Sequence, residues 1–137
     1  MVKFKLLNLN TRSNKKNYRW VLLRHEFATE DKRDFHFDFL LEDKEFCRTW
    51  RLNDIPLLDG PYVDCQYIDP HNLYWLEIKE KAVSGNRGFA TRIKKGIFWE
   101  PLPSIENGFI KLPIKWEFVE SDLLIDENGC RIFTKRD

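Results

Sequence analysis

Paired cysteines are missing from this sequence. Cys47, Cys65 and Cys130 are odd in number and far apart, with none of the spacing that zinc ribbons or redox motifs use. That pattern fits a reduced, cytoplasmic chain. Long apolar runs are missing too: the opening MVKFKLLNLN lacks the continuous apolar stretch of a signal peptide. No window approaches the ~18 apolar residues of a membrane span, so a soluble chain without a membrane partner is expected. Neither sign of charge dominates, because 23 basic residues face 22 acidic ones for a formal charge of +1. A global pull toward nucleic acid or anionic lipid is thereby excluded, and any such partner must be held by a local patch. There is no internal repeat, low-complexity segment or second block of composition, and 137 residues suit a single domain spanning 1–137.

What the chain has in quantity is aromatic and β-forming residues. Aromatics make up 15% and hydrophobics 42%, enough for a packed core rather than disorder. Residues 10–17, NTRSNKKN, read as a loop after a short first strand, and Thr29-Glu30-Asp31 as the start of one helical turn. YRWVLLRH, FHFDFLLE and EFCRTWRL read as strands, the last two joined by a turn at Asp43-Lys44. NDIPLLDGP is a surface connection. YVDCQYI, LYWLEIK and GFATRIK follow, then GIFWE after a turn at Lys94-Lys95-Gly96, then FIKL, KWEFVE and CRIFTK. This is a mainly β pattern, and its spacing predicts a small antiparallel β-barrel of about eight strands with one or two short helical segments.

Residues 35–42, FHFDFLLE, organise the rest. On a strand, Phe35, Phe37, Phe39 and Leu41 face one side and His36, Asp38 and Glu42 the other. The first side is expected to fill the core. The second is either a solvated strand face or a site, because an imidazole and a carboxylate two residues apart on a rigid strand can converge on one ion. Histidine is scarce: His25, His36 and His71 are the three in the chain, each on a strand or at its end. His25, His36 and Asp38 form a mixed nitrogen and oxygen set suited to Mn, Fe or Zn, and the absence of thiolates argues against a structural zinc. Alternation from His71 places Trp75 on its face.

In order along the chain stand Arg24-His25, His36-Phe37-Asp38-Phe39, Leu41-Glu42, Arg48-Thr49-Trp50, and His71 followed by Ser84-Gly85-Asn86-Arg87-Gly88. Over roughly residues 18–100 this resembles the 3′-phosphoesterase domain associated with bacterial and archaeal DNA ligase D, an end-healing module of break repair. The resemblance implies a small β-barrel that binds Mn²⁺, or Zn²⁺ or another divalent ion, and removes a terminal ribonucleoside and then the 3′-phosphate. It implies His25, His36 and Asp38 as metal ligands and His71, with His36, as the catalytic histidines. It also implies DNA or RNA 3′ ends as substrates, and an ATP-dependent DNA ligase with other end-joining proteins as partners.

The chain departs from that family at three residues, and its segment from His25 to His36 is several residues longer than usual. Leu40 stands where the family has a phosphate-gripping arginine, Val63 where a second is expected, and Trp75 where a tyrosine is usual. A bidentate anion clamp is thereby lost, while Trp75 keeps a ring that can stack on a base. Arg92 and Lys94 on one strand face, Arg87 in the glycine-rich turn, and Arg48 and Arg51 on the hairpin strand are the basic residues able to replace it, or else a solvated strand face. The alternative is a catalytically weak or inactive relative that binds nucleic-acid ends or a phosphorylated ligand.

Overall fold

The computed structural model describes residues 17–28, 33–85, 87–104 and 107–135. The expected first strand, nearly all of the basic loop at 10–17 and the helical start at Thr29-Glu30-Asp31 lie outside them. Among the described residues nine strands follow in order: β1 Tyr18–Ala28, β2 Arg33–Asp43, β3 Phe46–Leu52, β4 Cys65–Asn72, β5 Glu80–Ala82, β6 Phe89–Phe98, β7 Ile110–Trp116, β8 Val119–Asp126 and β9 Gly129–Thr134. A single 3₁₀ turn, Leu73–Leu76, separates β4 from β5. All strands belong to one antiparallel sheet in the order β4-β3-β2-β1-β6-β7-β8-β9, with β5 beside β6.

The mainly β architecture is the one implied by the alternation, but the ladder does not close into a barrel. One residue pair, Phe98 with Ile114, joins β6 to β7, so the sheet folds there into two halves. At the far edges only isolated bridges, Leu58 to Ile132 and Val63 to Cys130, span the gap to β9. Pro56 and Pro61 flank Leu58, and Pro61 lies two residues before Val63; a residue without an N–H cannot extend these bridges into a ladder.

Between the halves lies the main core. Trp20, Phe39, Trp50, Phe98, Leu112, Ile114, Trp116, Leu123 and Ile132 are all buried in it. Trp20 stacks on Trp116 with ring centroids 4.8 Å apart and donates its indole N–H to the Lys115 carbonyl. Gly96, read as a turn residue, instead sits mid-strand in β6 because a Cβ there would meet the Trp20 ring at 2.6 Å. β6 is therefore continuous. LYWLEIK also departs from the strand expected: Asn72 caps the Tyr74 amide with its side chain, the Glu77 N–H donates to the Tyr74 carbonyl, and the chain turns instead of extending. KWEFVE is likewise not one strand, because the turn at Glu117-Phe118 divides it between β7 and β8.

On β2 the core face holds Phe37, Phe39 and Leu41, as alternation requires, whereas Phe35 is 48% exposed. β3 ends at Leu52, the partner of Phe37, so Phe35 projects from a part of β2 that has no neighbour on that side. The opposite face carries a second, smaller core of Val21, Leu23, Leu40, Cys47 and Leu76, roofed by the 3₁₀ turn with Leu73 and Trp75.

Candidate metal centre

Strand pairing assembles the site. His25 on β1 lies directly opposite His36 on β2, and Leu23 opposite Asp38, so both imidazoles and the carboxylate project from the same outer face. His25 Nδ1 is 3.3 Å from His36 Nε2, and His36 Nε2 is 3.4 Å from Asp38 Oδ1. One ligand atom from each residue lies within 4.8 Å of the others, making this group able to hold a metal ion. Two donors bound at ~2.1 Å with tetrahedral angles would be ~3.4 Å apart, which matches both of these distances.

The hydrogen bond behind His25 favours the same reading. His25 Nε2 lies 2.5 Å from the Arg87 carbonyl, which can only accept, so Nε2 carries the proton and Nδ1 turns a lone pair toward His36. The glycine-rich turn makes this contact. Gly88 has φ +96°, and a Cβ there would sit 2.2 Å from the Glu26 carbonyl, so only glycine lets the turn approach β1 so closely. Val83 N–H donates to the Gly88 carbonyl and closes the turn. The Arg87 guanidinium is tied to Ser84 through the Ser84 carbonyl and hydroxyl.

His71 reaches the cluster from β4. Its Nδ1–H donates to the Asp69 carbonyl at 3.2 Å, leaving Nε2 3.9 Å from Asp38 Oδ2, the oxygen not used by His36. A register shift between β3 and β4 falls opposite Asp69-Pro70, and such a bulge re-aims the next side chain. Asp38 is nearly buried. Burial alone would raise its carboxyl, but the hydrogen bond and charge of His36, then Arg51 and His71, together hold it below the ordinary carboxylate value.

A cleft of about 530 Å³ opens over His25, Asp38 and His71. Tyr74 and Trp75 form one wall, and Lys81, Ser84 and Arg87 the other. Trp75 thus shares the cleft with His71 as expected, although a 3₁₀ turn and not a strand brings it there. His36 opens instead to a neighbouring hollow beside Arg51.

Three of the expected substrate contacts lie elsewhere. Arg92 and Lys94 line a different cavity, and a register shift between Leu22 and Leu23 sets their direction. Arg48 pairs with Leu41 on the core face, 2.6 Å from Asp43, and donates to the Pro103 carbonyl. Leu40 is fully buried, and Val63 is spent on the bridge to Cys130.

Two residues gain a place. Arg51 lies opposite Asp38 with Nε 3.4 Å from Oδ1, because the hairpin turns at Lys44-Glu45. A turn one residue earlier would have put Thr49 there. Lys81 pairs with Ala90, itself opposite His25, once the turn at 83–88 reverses the chain. No family model matches the chain, and no curated protein matches it.

Proposed function

We propose that the chain is a metal-dependent phosphoesterase of the kind its motifs resemble, acting on 3′-phosphate or 3′-ribonucleotide ends of nucleic acid. The observation that carries this reading is the convergence of His25, His36 and Asp38 donor atoms, with His71 on the other Asp38 oxygen, beside a cleft edged by Lys81 and Arg87. His25, His36 and Asp38 would hold the ion, for which Mn²⁺ is the first choice and Zn²⁺ the second. Lewis acidity toward a phosphoryl oxygen is what a divalent ion supplies when bound there. The chain's own residues do the rest. His71 Nε2 holds a proton for the leaving 3′ oxygen as water adds to phosphorus and the P–O3′ bond breaks. Lys81 and Arg87 offset charge on the phosphate, and the Tyr74 and Trp75 rings, 5.1 Å apart, offer a stacking wall for the terminal base. The product is a 3′-hydroxyl end, which makes a DNA ligase the partner this reading implies. Among the described residues no helix is long and apolar enough to cross a membrane.

A second reading is favoured by Leu40. The place of the clamp arginine is fully buried beneath the 3₁₀ turn, which suits a relative that binds 3′ ends with weak or no turnover. A 5′-labelled primer ending in a 3′-phosphate, incubated with Mn²⁺, separates the two. Enzyme predicts release of phosphate that falls at least a hundredfold in His36→Ala and in His71→Ala. Binding of the primer without turnover, in a metal-loaded protein, leaves the end-binding module.

A further inference from the structure

A second cavity, of about 670 Å³, lies beside the histidine cleft, over Arg19 and Val21 of β1. Along β1, Arg19 and Val21 underlie it and Leu23 and His25 underlie the cleft, so the two lie in sequence along one strand face. Four residues of strand separate Val21 from His25, or about 13 Å. Its floor is apolar, with Val21, Leu76 and Ile97. Its sides are basic: five Lys and Arg against two Glu, in a chain whose overall charge is +1. Arg19 is paired with Glu42 and Glu77, and Lys94 with Glu117. Among the described residues, Arg92, Lys95 and Lys115 take part in no ion pair.

Phe118 stands at the lip. It is 94% exposed at the tip of the β7–β8 hairpin. Glu117 and Phe118 both hold left-handed backbone, with φ of 49° and 70°, in a two-residue turn where Asn and Gly are the favourable choices. A bulky side chain in that conformation costs stability and is seldom retained without a use. An apolar floor, unpaired cations and a presented aromatic ring together match one ligand chemistry, a base joined to phosphates.

We propose that this cavity docks the single-stranded nucleic-acid segment leading to the end held in the histidine cleft, with a base on Phe118 and phosphates on Arg92, Lys95 and Lys115. The inference rests on the nucleic-acid reading of that cleft, but its test does not need the metal. Fluorescein-labelled oligothymidylate is titrated with the full chain in EDTA and followed by anisotropy. Wild type binds, and log affinity falls against log salt with a slope of about −2, as three phosphate contacts on a single strand require. Phe118→Gly weakens binding roughly tenfold while raising the melting temperature, because glycine relieves the left-handed strain. That pairing is one a merely structural phenylalanine cannot produce. The Lys95→Glu, Lys115→Glu double variant weakens binding further and flattens the salt slope. Binding is read in EDTA, where metal-dependent turnover is absent, so loss of phosphatase activity and loss of docking are separate results. No binding by wild type, or wild-type affinity in both the Phe118 and the lysine variants, overturns the proposal. Binding of free AMP at this cavity without binding of the oligonucleotide overturns it in favour of a nucleotide pocket.

Discussion

Two neighbourhoods on the outer face of β1 and β2 share the same alternation and differ in what covers them. Toward the β2–β3 turn, Val21, Leu23 and Leu40 pack with Cys47 and Leu76 beneath the 3₁₀ turn. Two residues along from Leu40, Asp38 meets His36, His71 and Arg51, and His25 sits at the next pair. Roughly 7 Å of strand separates a sealed apolar patch from a polar cluster at the floor of a cleft. The alternation selects the face, while the cover selects the chemistry: where the 3₁₀ turn roofs the sheet a charge has no partner, and where the roof ends charges can converge.

The sharpest way to break this contrast is Leu40→Arg. A guanidinium forced into the sealed patch has no counter-ion, so we expect more than about 5 kcal/mol of destabilisation, read as loss of the folded baseline in urea. A variant as stable as wild type would mean the roof opens readily, and the arginine would then be free to act as a phosphate clamp. Next in size is the inner face of the same strand. Phe37→Ala should cost ~3 to 5 kcal/mol and Phe35→Ala less than ~1 kcal/mol, since Phe35 keeps only Arg24 over its ring at 4.4 Å and an edge contact with Phe37. Equal losses in denaturant melts would place the end of the core elsewhere.

Gly88→Ala tests the cluster's outer support. A Cβ at that position meets Glu26 and Phe27, so the turn must withdraw from β1 and the Arg87 carbonyl from His25. We expect a loss of about 1 to 3 kcal/mol and a tenfold or greater fall in Mn²⁺ affinity, with the calorimetric stoichiometry unchanged. The smallest effect concerns the thiols. Burial, with Asp126 and Asp64, pushes the Cys65 thiol up to about 11, and burial with Glu42 pushes Cys47 up to about 12. A raised pKa means thiolate is scarce below it, so alkylation by iodoacetamide should be slow at neutral pH and quicken as pH approaches 11 for Cys65. Fast labelling near neutrality would show that these sites open to solvent.

Much of this was legible in the alternation of FHFDFLLE and its neighbours, which fixes the faces of β2 and brings His25, His36 and Asp38 together. Register was less legible. Moving the hairpin turn from Asp43-Lys44 to Lys44-Glu45 exchanges Thr49 for Arg51 opposite Asp38, and turn propensity separates those two choices weakly. The bulge opposite Asp69-Pro70 that aims His71, and the shift near Leu22 that diverts Arg92 and Lys94 to the other cavity, depend on cross-strand geometry that no single strand encodes. Gly96 reads as a turn until the Trp20 ring above it is known. Leu40 reads as an absent arginine, and becomes a packing residue only once Leu76 is seen to roof it.

Manganese titration followed by the electron paramagnetic resonance of free Mn²⁺ tests the metal centre most directly. The geometry predicts a single ion per chain, held by His25, His36 and Asp38 and lost in both His36→Ala and Asp38→Asn at unchanged fold. A wild-type chain that leaves the free-ion signal undiminished, or variants that bind as wild type does, would contradict it.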